Sequence, residues 1–130
     1  MVQVKASIGK ERYKTLVRSE NKEILADEPL DSGGADLGFS PSELLAGALA
    51  SCTAITLRMY ADRKNWDMDE VNVNVQFERD ASKNISQFIR NIQIRGNIDD
   101  EQKSRLLTIA NACPIHKTLS GTININTEIE

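Results

Sequence analysis

Two cysteines are the residues of this chain best suited to chemistry. Cys52 lies inside the charge-free run of residues 44–57, and Cys113 lies in the motif NACPIH at residues 111–116. If the fold brings the two sulfurs together, they form a dithiol/disulfide couple that can reduce a peroxide by two electrons without a cofactor. If the sulfurs lie far apart, both residues are ordinary apolar side chains of the interior.

Length and composition predict a single domain that spans residues 1–130, since the chain has 130 residues, of which 40% are hydrophobic and 27% charged. The net charge is −3 and no stripe of Lys and Arg is interleaved with aromatic residues, so we expect no nucleic-acid partner. The longest uncharged stretch has 14 residues, fewer than the ~18 that a membrane span needs. We therefore expect no membrane partner.

The chain begins directly with an alternating pattern and carries no basic and apolar leader, which predicts a cytoplasmic location. Reducing conditions there disfavour a permanent structural disulfide, so two cysteines are expected to be free, catalytic or redox-cycling.

The N-terminal third predicts strands followed by a long helix. Alternating apolar residues on either side of a turn at residues 9–11 predict a hairpin, and a third short strand is expected at residues 23–27. Residues 28–41 are rich in Gly and Pro and predict a loop. Ser40 and Pro41 then suit a helix start. This helix is expected to reach about Arg63 and, because its first turns are apolar or small all round, to be buried on every side.

The remainder predicts a second hairpin, two short helices and a last strand. Strict alternation over residues 71–77 and the apolar pattern of residues 88–95 indicate paired strands. A capping pair favours a helix over residues 99–112, with Cys113 facing inward, and a short helical turn follows from Pro114. A final strand is expected at residues 123–129. The predicted class is α+β, with a mostly antiparallel sheet wrapped on a long buried central helix.

Two motifs carry a resemblance to a known family. Residues 40–52 read SPSELLAGALASC, after ADEP at residues 26–29, and residues 112–119 read ACPIHKTL. In both motifs, in their order and in their separation, the chain resembles the OsmC/Ohr family, and specifically a divergent branch of it. The resemblance implies an intertwined homodimer with active sites at its interface, and thiol-dependent reduction of organic hydroperoxides in oxidative stress defence.

The same resemblance implies a role for each cysteine. Cys52 corresponds to the peroxidatic cysteine, whose thiolate attacks the peroxide and becomes a sulfenic acid. Cys113 corresponds to the resolving cysteine, which condenses with that sulfenic acid to form a disulfide. A thiol reductant must then reduce this disulfide and return both cysteines to free thiols.

An apolar setting disfavours a thiolate, so a cation is expected beside Cys52. The family supplies an arginine from the N-terminal part, held by a glutamate ten residues before the first cysteine. In this chain Ser42 occupies that position and Glu43 is the adjacent carboxylate, so Glu43 is the candidate for this role. Arg12 and Arg18 are both candidates for the arginine, and Arg12 is slightly preferred.

The sequence also bears on the role of the single histidine, on cofactors and on an alternative function. His116, the only histidine, could act as a cation or a base for Cys113, or could be a partly exposed polar residue. No cofactor and no metal is expected, because the chain has no Cys-x-x-Cys and no paired His spacing. The alternative function is a non-catalytic OsmC-like protein that binds a small apolar or lipid-like ligand at the dimer interface.

Overall fold

The computed structural model describes all residues from Met1 to Glu130 and divides them into two compact units, Met1–Leu45 and Ala46–Glu130. Both units combine antiparallel strands with helix, and the α+β class predicted from the sequence is confirmed. That residues 1–130 act as one domain stays a prediction.

The first unit contains a three-stranded antiparallel sheet in the order β1, β2, β3. The strands are β1 (Lys5–Ile8), β2 (Thr15–Ser19) and β3 (Lys22–Ala26). Ile8 is paired with Thr15, and Ser19 with Lys22, across two turns. The predicted hairpin and third strand are therefore present, with bounds shifted by one to three residues.

Asp27 organises the loop that follows β3. Its carboxylate is 2% exposed and accepts hydrogen bonds from four backbone N–H groups, those of Tyr13, Glu28, Ala35 and Leu37, at 2.7 to 3.3 Å. Burial opposes ionisation, but these four donors outweigh it and lower the pKa of Asp27 from its ordinary value of 3.8. One carboxylate therefore fixes both ends of a loop that has little regular structure.

This arrangement predicts an acid-sensitive fold. Because the pKa of Asp27 is lowered in the folded chain, its contribution to stability is complete above the unfolded value of 3.8 and is lost as pH falls below it. We expect the free energy of unfolding in urea to fall between about pH 6 and about pH 3 by more in the wild type than in Asp27→Asn. Asp36→Asn, at an exposed aspartate of the same loop, should behave as the wild type does. An equal fall in all three proteins would contradict this account.

Helix α1 (Pro41–Lys64) begins with the predicted signals. Ser40 N–H donates to Glu43 Oε1 at 2.9 Å, and Glu43 N–H donates to Ser40 Oγ at 3.2 Å. This reciprocal pair satisfies two backbone donors that a helix start leaves free. Pro41 follows the cap as the first helical residue, where its missing N–H costs nothing.

Burial of α1 differs from the expectation that its first turns are covered on every side. The fully covered residues form one stripe with a spacing of four: Leu49, Thr53, Leu57 and Ala61. On the other faces Ile55 is 53% exposed and Met59 61% exposed. The other elements of this chain cover only this stripe of α1 completely. By length and composition alone, α1 could cross a membrane. The core helix of a soluble protein can have the same length and composition.

The second unit contains the long hairpin β4 (Asp67–Asp80) and β5 (Ile85–Asn97). Alternate side chains of both strands are half-buried. Helix α2 (Asp100–Ala110) starts at a capping box formed by Asp99 and Gln102, as predicted. Helix α3 (Pro114–Ser120) follows after a short break.

The core of this unit lies between α1, the start of β4 and α2. Its buried residues are Leu57, Ala61, Met68, Leu106 and Ala110. The predicted last strand at residues 123–129 is absent, and residues 121–130 have no regular structure. A strand needs a backbone partner, and no strand of this chain pairs with this segment. Ile123, Ile125 and Ile129 are consequently exposed.

Candidate redox site

Cys113 lies at the junction between α2 and α3. Pro114 is the first residue of α3, so Cys113 is its N-terminal cap, with an extended backbone at φ −64° and ψ 144°. In that conformation its Sγ accepts a hydrogen bond from His116 N–H at 3.4 Å. The side chain is 0% exposed. The prediction that Cys113 faces inward is therefore confirmed.

Cys52 lies on α1 and is half-buried, one residue before the buried Thr53. Both residues face Cys113. Thr53 Oγ1 is 3.8 Å from Cys113 Sγ, and the Cys52 side chain is near enough to Cys113 to lower the pKa of its thiol. Two cysteines that are 61 positions apart in the sequence thus meet in one site, and both are free thiols.

Arg90 of β5 brings a cation to the same place. Its Nη1 donates to Thr53 Oγ1 at 3.0 Å, and its Nη2 donates to Asn111 Oδ1 at 2.9 Å. Nη2 also lies 3.1 Å from His116 Nδ1. Because a guanidinium can only donate, Nδ1 is the acceptor, which leaves the proton of the neutral imidazole on Nε2. The two Nη groups of Arg90, which form the fork of its guanidinium, therefore connect α1, the end of α2 and α3.

The hydroxyl of Thr53 is the link between the cation and the sulfur. Thr53 Oγ1 donates to the carbonyl of Leu49 at 2.7 Å and accepts from Arg90. While Cys113 is a thiol, its S–H can donate to the remaining lone pair of this oxygen. Once Cys113 is a thiolate, the hydroxyl can turn towards the sulfur, since the Leu49 carbonyl keeps its helical backbone partner.

These neighbours favour the ionised form of Cys113. Burial raises the pKa of its thiol. The backbone N–H of His116, the side chains of Cys52 and Thr53 and the positive charge of Arg90 act in the opposite sense. Together they outweigh burial and lower the pKa of Cys113 from its ordinary value of 9.0. The thiolate, which is the nucleophilic form of a cysteine, is therefore favoured at this buried position.

The other residues predicted from the sequence lie in the first unit. Arg12 is exposed in the turn between β1 and β2. Arg18 pairs with Glu23 at 2.7 Å on the exposed side of the sheet. Glu43 is occupied by the cap of α1. The catalytic roles suggested for Arg12 and Glu43 stay predictions, as do those of the two cysteines.

Arg90 was not predicted, although the sequence carries a signal for it. Along β5 every second residue from Phe88 to Ile94 is half-buried, and Arg90 is the one charged residue of that inward series. A charge at an inward position needs a partner. This exception to the alternation is the feature that marks the site.

A small cavity of about 260 Å³ borders the cluster. Its walls are partly apolar and partly polar, and they are formed by Leu49, Ser86, Phe88, Arg90, His116, Leu119 and Ser120. The structure contains no group of three or more His, Cys, Asp or Glu side chains arranged to hold a metal ion. The arrangement is that of two thiols, a guanidinium and an imidazole, the elements of thiol redox chemistry.

The combination of a long helix with antiparallel hairpins agrees with what comparison with known proteins shows. The family model described as OsmC-like protein matches residues 33–128. The chain therefore belongs to the OsmC-like family, as its motifs indicated. No curated protein sequence matches it.

Solved structures agree in fold. A Psychrobacter arcticus 273-4 protein, named for osmotic stress induction and a detoxification response, is 26% identical over 91% of this chain and 88% of its own, with a TM-score of 0.78. The OsmC-like protein of Mycoplasma pneumoniae is 20% identical, covers 93% and 88% of the two chains and has a TM-score of 0.78. The organic hydroperoxide resistance protein OhrB of Bacillus subtilis is 22% identical over 93% and 91%, with a TM-score of 0.63.

Proposed function

We propose that this protein reduces organic hydroperoxides by a thiol cycle of Cys52 and Cys113. The Cys52 thiolate attacks the terminal peroxide oxygen, the O–O bond breaks, and the alcohol leaves after taking up a proton. Cys52 is then a sulfenic acid. The Cys113 thiolate attacks its sulfur, the S–O bond breaks, and hydroxide leaves and becomes water. The product is a disulfide between Cys52 and Cys113.

The observation that carries the proposal is the meeting of the two cysteines. The partly exposed Cys52 is open to a substrate, whereas the buried Cys113, with its lowered pKa, is not. This division suits an attacking residue that faces the substrate and a resolving residue that faces only its partner cysteine. Membership of the OsmC-like family and the similarity to a hydroperoxide resistance protein support the same reaction.

Further parts of the proposal concern partners and location. A thiol reductant must supply the two electrons that convert the disulfide back to two thiols after each turnover. The similarity to an organic hydroperoxide resistance protein supports an organic hydroperoxide as the substrate. We expect the cycle to operate in the cytoplasm, where reduced thiols are available.

We also propose that the protein acts as an intertwined homodimer. Two apolar features lack cover within one chain, namely the faces of α1 that carry Ile55 and Met59, and the alternating segment at residues 121–130. A second copy would cover the helix and would give the segment a strand to pair with.

A non-catalytic, ligand-binding protein is the second candidate. One observation favours it, a groove of about 590 Å³ lined in part by the apolar side chains of Leu57, Ile92, Ile94 and Leu106. Such a groove could hold a small apolar or lipid-like ligand. It does not explain why two cysteines and an arginine meet in one site, so we prefer the peroxidase.

One assay separates the two candidates. Reduced protein is mixed with cumene hydroperoxide and with dithiothreitol in a small excess over the hydroperoxide. The concentration of the remaining hydroperoxide is followed over time. The peroxidase proposal expects consumption of many equivalents per chain. Consumption no faster than with dithiothreitol alone would contradict it, and would leave the ligand-binding candidate.

A further inference from the structure

We propose that Arg90 is the positioning residue for the second half of the cycle: from its contacts with Thr53, Asn111 and His116 it stabilises the negative charge on Cys113 when this residue attacks oxidised Cys52. This inference rests on the proposed peroxidase function and adds to it a residue and the step that this residue serves. The arginine and glutamate suggested by the sequence were assigned to Cys52 and to the first step.

The first argument is the placement of the guanidinium. Arg90 reaches Thr53, Asn111 and His116, which flank Cys113 on α1, at the end of α2 and in α3. Three partners from three elements fix the orientation of the fork. Its positive charge acts on Cys113 from this position, in a half-buried setting where solvent screens it less than at the surface.

The second argument is that Arg90 is the one positively charged residue among the groups that lower the pKa of Cys113. The groups that act on its sulfur are Cys52 and Thr53 of α1, the backbone N–H of His116 and Arg90. The His116 imidazole turns Nδ1 towards Arg90 rather than adding a donor to the sulfur. Hydrogen bonds and one guanidinium therefore have to offset the burial of Cys113, and only the guanidinium carries charge.

The third argument concerns which step benefits. Cys113 is 0% exposed, so a peroxide in solution cannot reach it without a rearrangement. Its accessible electrophile is the sulfenic sulfur of Cys52. In the reaction the Cys113 thiolate forms the S–S bond, the S–O bond of Cys52 breaks and the hydroxide leaves as water. The rate of such an attack depends on the fraction of thiolate.

Two measurements test this role. The first uses the Cys52→Ser background, in which Cys113 is the only thiol, and follows the ultraviolet absorbance of its thiolate against pH. We expect Arg90→Met to raise the titration midpoint of Cys113. Arg90→Lys, which keeps the charge without the fork, should restore part of the shift. Arg95→Met is the matched control. Arg95 lies on the same strand, is exposed and pairs with Glu70, so its replacement should leave the titration midpoint of Cys113 unchanged.

The second measurement keeps both cysteines. One equivalent of cumene hydroperoxide is added, and the sulfenic acid at Cys52 is trapped with dimedone at successive times. We expect the sulfenic acid of Arg90→Met to persist longer at neutral pH, by about threefold to tenfold for each unit by which the midpoint rises. At high pH, where Cys113 is ionised in every variant, the lifetimes should converge. A defect caused by general loss of structure would not vanish with pH.

The outcomes separate the two levels of the proposal. If sulfenic acid forms at Cys52 but Arg90→Met has the midpoint and lifetime of the wild type, the role of Arg90 is wrong and the peroxidase stands. If no sulfenic acid forms in any variant, the peroxidase is wrong and the second-step role is wrong with it. A raised midpoint, a prolonged lifetime and partial restoration by lysine support the inference.

Discussion

Replacement of Cys52 by serine is expected to abolish the consumption of cumene hydroperoxide under turnover with dithiothreitol. A serine hydroxyl is not ionised at neutral pH, so it cannot replace the thiolate as nucleophile. The loss should be on the order of 10³-fold or more, as for other enzymes that lose their nucleophile. The measurement is the initial rate of hydroperoxide loss at equal protein concentration.

Cys52→Ser changes the structure so little that a loss of activity can be attributed to the missing thiol. Cys52 is half-buried on α1 beside Ser51, and serine has nearly the same shape as cysteine. Ser51→Ala is a matched control on the same turn of the helix, since Ser51 is exposed and its hydroxyl only donates to the carbonyl of Ala48. Equal rates in Cys52→Ser and the wild type would rule out Cys52 as the peroxidatic residue.

Replacement of Cys113 by serine is expected to separate the two steps. The first equivalent of hydroperoxide should still be consumed, because Cys52 is intact, but no disulfide can form within the chain. A dimedone-reactive sulfenic acid should then accumulate to about one per chain, whereas in the wild type it is transient. Mass spectrometry of the trapped protein measures both quantities.

Serine suits this position structurally, which keeps the test clear. Cys113 caps α3 by accepting from His116 N–H, and serine is among the preferred residues for that task. Its hydroxyl can also take the place of the thiol next to Thr53. If Cys113→Ser formed no more sulfenic acid than the wild type and turned over at the same rate, Cys113 would not be the resolving residue.

Much of the fold could be predicted because its signals are local. The alternation of β4, the capping pair at Asp99 and Gln102 and the proline at the start of α3 each specify a structure within a few residues. The two cysteine motifs also predicted the pair of residues that meet in the site.

What could not be predicted depends on long-range or missing neighbours. Arg90 is 37 positions from Thr53 and 26 from His116, so its inward position along β5 indicates a buried charge but not the partners of that charge. The burial of α1 on all sides and the last strand at residues 123–129 were wrong for a single chain. Both features depend on contacts with distant parts of a structure, and the other elements of this chain do not make them.

The central claim is that Cys52 and Cys113 form one redox couple, and counting thiols tests it most directly. Reduced protein is freed of reductant, treated with one equivalent of cumene hydroperoxide, denatured and titrated for free thiols. We predict a fall from two thiols per chain to none, with one equivalent of hydroperoxide consumed and a peptide pair linked through Cys52 and Cys113. Two thiols per chain with the hydroperoxide intact would contradict the account.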